Sequence, residues 1–377
     1  EYFMANKAYQ NLHINFDQSD YNAVLASFNT TSFSGKSPVI GEYESVIANY
    51  FGSQHALACC NGTVAIELAL RGLGIKPGSR VALPPTAPIM TILPIITAGC
   101  VPVFCDVSAL SFSPDLVHLQ TLHREQPIAA LIVVPMWGYP LEMRAVVETC
   151  RALDIRLVED CAHAFGTQSD GQYLGTFGDV SCFSTHERKM DSTGEGGFCL
   201  TNDESVYERM LSWQQHGLKP ASRTSQYLLG EDIGTNYKLP PLCAALGINQ
   251  FSRLDRKLAE RRERVAKMRK ALAAIPTICE FPRHQHAEVN GYAMVYYHLN
   301  GSSVAQGERM LTQGVMSDTT RYRYKPLYHE PAFTQYASAC PNAEHIIDTI
   351  FTVPCHEGLD DGDIDYIVSV VNDNFQC

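Results

Sequence analysis

The chain has 377 residues, of which 45% are hydrophobic, and a formal net charge of −11. This apolar content is enough for a large buried core, and the length suggests two domains or one large domain with a smaller lobe. The acidic balance and the lack of a long basic run argue against a nucleic-acid surface, and no apolar stretch approaches the roughly 20 residues that a membrane span needs.

The thirteen cysteines are mostly scattered singly in apolar segments, and the sequence has no C-x-x-C pair. Free cysteine packs as a small hydrophobic residue, whereas zinc ligands occur in paired spacings. We therefore expect core residues in a reducing cytosol rather than metal ligands or disulfides. The start of the sequence also lacks a signal-peptide pattern, which favours a cytoplasmic protein.

Helical and strand-like segments alternate between residues 40 and 200. Asn61-Gly62-Thr63 predicts the N-terminus of a helix over 64–70, and another helix is predicted over 141–152. Because the strand segments are apolar throughout, they predict a mostly parallel sheet between helices, and the last two, which follow each other without a helix, predict a mixed sheet. The predicted strands are 80–83, 101–105, 129–134, 155–159, 180–183 and 197–200.

After residue 240 the pattern changes to apolar residues at steps of three and four, which predicts one long amphipathic helix. The positions that set this pattern are Phe251, Leu254, Leu258, Val265, Met268 and Leu272. We expect the basic residues of this helix to be solvated; they are Arg253, Arg256, Lys257, Arg261, Arg262 and Arg264. A strand at 293–299 begins a smaller lobe, so the predicted domains are 1–240 and 241–377.

Three short segments contain the residues suited to chemistry. In the first, an apolar strand ends at Glu159-Asp160 and is followed by His163. Ligands of parallel α/β sheets sit beyond the carboxyl ends of strands, where a carboxylate stays ionised beside a cationic partner. Taken alone, this segment favours the simpler interpretation that Asp160 is an ordinary helix N-cap residue.

In the second segment, Ser184 ends a strand, and Lys189 follows in a polar loop that runs into Gly194-Glu195-Gly196-Gly197. A lysine forms a Schiff base with a carbonyl cofactor once its neutral amine is favoured. The third segment is Asn61-Gly62-Thr63, where a helix N-terminus could bind a phosphate or form a capping turn alone.

Taken in order, these segments resemble the DegT/StrS group of sugar aminotransferases, which are fold-type-I enzymes dependent on pyridoxal phosphate (PLP). The resemblance covers nearly the whole chain, from residues 41–44 to residues 353–359. The matching motifs are N-G-T-V-A-I-E-L-A-L at 61–70, V-P-V-F-C-D-V at 101–107, V-E-D-C-A-H-A-F-G at 158–166, G-T-F-G-D-V-S-C-F-S at 175–184, T-G-E-G-G at 193–197 and G-T-N-Y-K at 234–238.

The resemblance implies an α/β protein whose large PLP-binding domain contains the mixed sheet, with a smaller C-terminal α+β domain. It also implies that Lys189 forms the Schiff base and moves the proton, that Asp160 pairs with the pyridine nitrogen, and that His163 stands where the family usually has glutamine near the ring hydroxyl. Gly62, Thr63 and Ser184 match the phosphate-binding residues.

The family pattern further implies a homodimer, because Asn236 matches an asparagine that reaches the phosphate in the neighbouring subunit. Three features depart from the pattern: Pro88 replaces an aromatic residue that stacks on the cofactor, Lys238 replaces an arginine, and residues 185–188 before Lys189 are more charged than in the common form. Candidates for the substrate mouth are His216, Tyr322, His329 and His356, with Trp137 placed to approach the site; each of them is also compatible with a packing or surface role.

The implied reaction moves an amino group from glutamate or glutamine to a keto sugar, often nucleotide-linked, or to a ketocyclitol, as in the biosynthesis of amino sugars and antibiotics. One alternative is a PLP-dependent dehydratase or other eliminating enzyme, although relatives that dehydrate sugars have histidine where this chain has Lys189. The other alternative is a non-catalytic PLP-binding regulator, for which the sequence offers no DNA-binding motif.

Overall fold

The computed structural model describes residues 8–30, 32–220, 227–228, 230, 232–283 and 286–376. Its strands are β1 (His55–Cys59), β2 (Arg80–Leu83), β3 (Val101–Phe104), β4 (Ala130–Val133), β5 (Arg156–Asp160), β6 (Gln168–Ser169), β7 (Gln172–Tyr173), β8 (Val180–Ser184), β9 (Gly197–Thr201), β10 (Lys219–Pro220), β11 (Tyr227–Leu228), β12 (Ile278–Glu280), β13 (Ala287–Glu288), β14 (Met294–His298) and β15 (Ile350–Val353).

The helices are α1 (Gln18–Ala26), α2 (Pro38–Phe51), α3 (Gly62–Gly72), α4 (Ile89–Thr97), α5 (Leu116–Glu125), α6 (Met143–Ala152), α7 (Glu204–Gln214), α8 (Pro241–Phe251), α9 (Leu254–Leu272), α10 (Val304–Thr312), α11 (Asp318–Arg321), α12 (Pro341–Thr349) and α13 (Asp361–Phe375). Single 3-10 turns lie at Met136–Gly138, Leu327–His329 and Thr334–Tyr336. In these described residues, no helix is both long and apolar enough to cross a membrane.

A seven-stranded sheet in the order β1-β9-β8-β5-β4-β2-β3 forms the centre of the large domain. Among its described strands β9 alone runs opposite to the others, since it pairs antiparallel with both β1 and β8 while the remaining pairs are parallel. The predicted mixed, mostly parallel sheet is therefore confirmed. As a result, six strands end at one side of the sheet, which we call the carboxyl edge, and β9 begins there.

A smaller antiparallel sheet, β12-β14-β15, forms the C-terminal lobe with α9, α10 and α13. Strand β14 joins the two hydrophobic cores because its side chains alternate between faces. Val295 packs into the core of the large domain, whereas Met294 and Tyr296 pack into the core of the lobe. This arrangement confirms the predicted fold class; the boundary at residue 240 stays a prediction.

The predicted single helix after residue 240 is wrong at its start. Helix α8 ends at Phe251 and α9 begins at Leu254, so the apolar spacing crosses a break at the intervening Ser252 and Arg253. The Arg253 guanidinium is held there by ion pairs with Asp17 and Asp20.

The prediction that the basic residues of this segment are solvated is also partly wrong. Lys257 and Arg261 are buried. The Lys257 ammonium donates to the carbonyl of Met190 at 3.2 Å, and Arg261 pairs with Glu357 at 2.5 Å. Polar partners inside the protein replace water for both cations, and an apolar periodicity does not reveal such partners.

Cysteines mainly fill the core, as the sequence predicts. Nine of the twelve described cysteines are buried, and the exposed one is Cys279. Burial raises the pKa of the Cys59, Cys161 and Cys182 thiols well above the usual value. Thiols in such surroundings stay protonated and inert.

A buried carboxylate lies close to the candidate lysine in the chain. Asp191 is fully buried, and its Oδ2 accepts a hydrogen bond of 2.7 Å from the Tyr43 hydroxyl. Its Oδ1 has no hydrogen-bond partner among the described residues. Burial raises the pKa of Asp191 from 3.8 to about 7, although the Tyr43 hydrogen bond and the charge of Lys257 oppose the shift.

We expect Asp191→Asn to change the pH dependence of stability. An acid whose pKa is higher in the folded state costs folding free energy when it ionises, so the wild type loses stability as the pH rises from 3.8 to about 7. The variant cannot ionise, and its melting temperature relative to the wild type should rise across this window and level off above it. Thermal melts over a pH series measure the difference, with exposed Asp365→Asn as control. A difference that does not change with pH would contradict the assignment.

Candidate active site

The loops that follow β1, β2, β4, β5 and β8 meet at the carboxyl edge. These loops, the strand ends before them and the start of α3 contain the sequence-predicted residues Gly62, Thr63, Pro88, Asp160, His163, Ser184 and Lys189. Because parallel strands all end at this edge, residues more than 100 positions apart in the chain come together.

A candidate anion-binding cup lies where the N-terminus of α3 meets the end of β8. The Asn61 side chain caps α3 by accepting from the Val64 N–H at 2.9 Å, which leaves the N–H groups of Gly62 and Thr63 outside the cap. A Cβ on Gly62 would lie 2.7 Å from the Cβ of Ser184. This close approach places a buried hydroxyl beside a positive helix end, an arrangement that binds anions.

Asp160 is buried at the end of β5, and its environment disfavours its charge. Its Oδ2 accepts from the Thr91 hydroxyl at 2.6 Å, and its Oδ1 accepts from the Ala162 N–H at 3.3 Å. Burial raises the pKa of Asp160, while these two hydrogen bonds and the charge of Lys189 oppose the shift. A cation that binds against this carboxylate would therefore be stabilised, since the carboxylate has no ion-pair partner among the described residues.

The Lys189 side chain is half-buried on the loop between β8 and β9. Its backbone N–H donates to the carbonyl of His186 at 2.8 Å, and its Nζ lies 5.4 Å from the centre of the Tyr292 ring. Burial lowers the pKa of Lys189 from 10.5 to about 8, with the charges of Asp160 and Asp318 opposing this shift and Arg188 adding to it. A substantial neutral fraction near neutral pH is what a nucleophilic lysine requires.

His163 is neutral, and its hydrogen bond fixes its tautomer. Burial lowers its pKa well below 6.5, and the charge of Lys189 adds to this effect. The Trp137 backbone N–H donates to Nδ1 at 3.2 Å, so the proton of the neutral ring is on Nε2. The ring stacks on Tyr292 with centroids 4.2 Å apart. His163 therefore offers an oriented Nε2–H donor.

The structure places the remaining predicted residues less centrally. Pro88 is half-buried and precedes the first turn of α4. Asn236 is exposed, on a segment that continues to a bridge between Lys238 and Cys59 at the end of β1. Of the candidates for the substrate mouth, Tyr322 lies beside the Lys189 loop, with the Arg188 guanidinium 5.9 Å from its ring centre. His356 instead stacks on His13.

The sequence reasoning missed Thr91, Tyr292, Asp318 and Asn11. A signal existed for Thr91, since a hydroxyl one helical turn after Pro88 falls at the start of a helix at the carboxyl edge. Tyr292 and Asp318 reach the site from the C-terminal lobe, and no local pattern marks them. In the described residues, no group of three or more His, Cys, Asp or Glu side chains is placed to hold a metal ion.

Comparisons with known proteins find relatives that span nearly the full chain. A sequence profile of the DegT/DnrJ/EryC1/StrS aminotransferase family matches residues 15–372. GDP-perosamine synthase of Escherichia coli O157:H7 is 28% identical over 351 residues, covering 91% of this chain and 92% of that protein. The dTDP-4-dehydro-2,3,6-trideoxy-D-glucose 4-aminotransferase of Saccharopolyspora spinosa is 28% identical over 365 residues, covering 93% of this chain and 92% of that protein.

Among solved structures, the sugar aminotransferase CalS13 from Micromonospora echinospora is similar with a TM-score of 0.86 and 25% identity, covering 97% of this chain and 99% of that one. The profile match, the two relatives and this structure all span nearly the full chain. The chain belongs to the DegT/DnrJ/EryC1/StrS aminotransferase family.

Proposed function

We propose that this protein is a PLP-dependent aminotransferase that transfers an amino group from glutamate or glutamine to a keto sugar linked to a nucleotide. The observation that carries the proposal is that Lys189, whose pKa burial lowers to about 8, interacts by charge with the buried carboxylate of Asp160. Perturbed titratable groups of opposite type in one cleft are typical of catalytic sites.

The described residues fit the cofactor group by group. The Gly62 and Thr63 N–H groups and the Ser184 hydroxyl suit its phosphate, in a cup that a Cβ on Gly62 would fill. The Asp160 carboxylate suits a protonated pyridine nitrogen, and the Nε2–H of His163 suits the ring oxygen. Lys189 suits the aldehyde. Each group of the cofactor thus meets a side chain of complementary charge or hydrogen-bonding capacity.

PLP, when bound, supplies an electron sink that makes the carbon-bound proton of an amino donor acidic. Lys189 then acts as the base that takes this proton and the acid that returns it, because a pKa of about 8 leaves both forms accessible near neutral pH. Asp160 stays ionised beside the ring nitrogen, and Thr91 holds its Oδ2 in place. His163 keeps one orientation because Trp137 and Tyr292 fix its ring.

We expect Gly62→Ala to weaken PLP binding about tenfold or more, because a methyl group forced against Ser184 costs on the order of 1–3 kcal/mol. The added carbon would lie 2.7 Å from the Ser184 Cβ and narrow the phosphate cup. A fluorescence titration with PLP measures the affinity. The matched control is Gly41→Ala, where an added Cβ meets nothing within 4 Å. Equal PLP affinities for the two variants would show that Gly62 is not part of the phosphate-binding cup.

We further propose a homodimer in which Asn236 serves the site of the neighbouring subunit. Asn236 is exposed in the single chain. Next to Pro88, helix α4 exposes Ile89, Met90 and Leu93 by 42%, 56% and 38%. Apolar side chains grouped beside a candidate site favour burial against another subunit.

A mixing experiment tests the shared site. Lys189→Ala and Asn236→Ala subunits are each expected to have little activity alone. When they are mixed under conditions that exchange subunits, a mixed dimer contains one site with both residues intact, and activity should return. Activity that never exceeds the sum of the two variants would exclude a shared site with this asparagine.

The choice of a nucleotide-linked acceptor rests on the relatives. Their names specify a GDP-linked product and a dTDP-linked substrate. In the first stage of the test, the PLP-loaded enzyme is treated with glutamate or with glutamine, and the loss of visible absorbance is followed. In the second stage, keto sugars linked to GDP, dTDP or UDP, or a ketocyclitol, are supplied. Return of the absorbance with one acceptor identifies the substrate. A bound cofactor that responds to no amino donor would contradict the proposal and favour a non-catalytic regulator.

A further inference from the structure

A second buried carboxylate reaches the site from the C-terminal lobe. Asp318 opens α11 and is only 6% exposed. Its Oδ2 accepts from the Asn11 side-chain amide at 3.4 Å and from the Trp137 indole N–H at 3.3 Å. Its backbone N–H is fixed by the Thr352 hydroxyl at 2.7 Å. Neither side-chain donor is charged, so the described residues leave this buried carboxylate without a contacting cation.

Trp137 connects Asp318 to the candidate site. Its backbone has φ 51° and ψ 23°, a left-handed conformation that costs a non-glycine residue on the order of 1–2 kcal/mol. Two hydrogen bonds hold it: the indole N–H donates to Asp318, and the backbone N–H donates to Nδ1 of His163. Loss of the indole anchor would therefore loosen the turn that orients His163.

The path continues to Lys189 by ring contacts. His163 stacks on Tyr292 at 4.2 Å between centroids, and the Lys189 Nζ lies 5.4 Å from the centre of the same Tyr292 ring. The chain of contacts from Asp318 to Lys189 runs through buried or half-buried groups. Charges in such surroundings interact more strongly than charges at the surface, since little water screens them.

We propose that Asp318 is a positioning residue for this site. It anchors Trp137 and so fixes His163, and its negative charge favours the protonated form of Lys189 from the side of the C-terminal lobe. Asp160 provides such a charge from the large domain, so the balance between the two forms of Lys189 depends on both parts of the molecule. The inference deepens the proposed function, but its charge effect is present in the protein without cofactor.

The charged and titratable neighbours agree with this role. The charged and titratable groups around Lys189 are Asp160, Asp318, Arg188, His163 and Tyr292. Burial lowers the pKa of Lys189, the two carboxylates oppose this shift, and Arg188 adds to it. Burial raises the pKa of Asp318 itself, while Arg188, the hydrogen bonds of Asn11 and Trp137, and Arg321 oppose that shift. Arg188 therefore favours the charge of Asp318 and disfavours that of Lys189.

The charge effect is tested on the protein without PLP by measuring how the acylation of Lys189 depends on pH, with mass spectrometry of its peptide. Asp318→Asn keeps an acceptor for Trp137 but removes the charge. It should lower the midpoint of the pH dependence of Lys189 acylation by about half a pH unit or more. Exposed Glu308→Gln, on α10 of the same lobe, controls for the loss of one negative charge and should leave the midpoint unchanged.

Asn11→Ala removes one donor to Asp318 without changing α11, and it should lower the midpoint by a smaller amount. This variant replaces Asp318→Asn should the latter fail to fold. An unchanged or higher midpoint in the folded variant would overturn the charge effect. A protein that binds no PLP would refute the proposed function and leave this measurement valid, so the two failures are distinguishable.

Anchoring of Trp137 has a separate test. In a Trp213→Phe background Trp137 is the single tryptophan, since the chain has two. Asp318→Ala should change its fluorescence emission, because the indole loses its acceptor and its fixed position, whereas Asp318→Asn, which keeps an acceptor, should change the emission less. Identical spectra for the alanine variant and the parent would overturn the anchoring role.

Discussion

Replacing Lys189 with alanine is expected to lower the transamination rate by at least about a thousandfold, because general acid–base catalysis by one side chain contributes up to about 10⁴-fold and covalent attachment of the cofactor is lost as well. The side chain lies at the carboxyl edge with Tyr292 beside its Nζ. No other lysine of the described chain matches its place between β8 and β9. Both half-reactions should fail, since each needs a proton moved by this amine.

The control for this variant is Lys76→Ala, at an exposed lysine. Rates of both half-reactions and the visible absorbance of the PLP-loaded protein are measured for the two variants. Lys76→Ala should match the wild type in both. A Lys189→Ala variant that keeps more than a tenth of the wild-type rate would show that another group moves the proton.

Asp160→Asn is expected to lower the rate by about 10²- to 10³-fold, the usual cost of removing one preorganised electrostatic contact. The amide still accepts the hydrogen bond of 2.6 Å from Thr91 but offers no charge to a protonated ring nitrogen. The rate falls because the electron sink weakens, whereas the fold changes little. Thr91→Val keeps the charge and loses one hydrogen bond worth about 1 kcal/mol, so its rate should fall only a few-fold.

The neighbouring Glu159 gives a matched comparison. Its carboxylate accepts from the backbone N–H groups of Gly175, Phe177 and Gly178 at 2.7–2.8 Å, which fixes the loop before β8. Glu159→Gln should therefore lower the melting temperature more than it lowers the rate of the folded enzyme. Steady-state kinetics together with thermal melts distinguish the catalytic role of Asp160 from the structural role of Glu159. Equal kinetic losses for Asp160→Asn and Glu159→Gln would contradict the role given to Asp160.

Much of the large domain could be predicted because its signals are local. The buried strand β4 is apolar throughout, and the Asn61 cap marks the start of α3. The rule that parallel strands end at one edge then brings Gly62, Asp160 and Lys189 together. The place of each of these residues follows from short segments, while its role in the reaction stays a proposal until the variants are measured.

The parts that could not be predicted depend on contacts between distant segments. Asn11 and Asp318 are 307 positions apart in the chain, and each side chain is ordinary in its local sequence. The left-handed backbone of Trp137 is held by Asp318 and His163, which no local pattern reveals. The burial of Lys257 and Arg261 likewise depends on acceptors such as Met190 and Glu357 in other segments.

The most direct test of the central claim is to load the protein with PLP, reduce it with borohydride, and locate the modified residue by peptide mass spectrometry. The account predicts that the pyridoxyl group is found on Lys189 and that prior addition of glutamate or glutamine decreases its yield. A protein that takes up no PLP, or one that becomes modified at a different lysine, would contradict it.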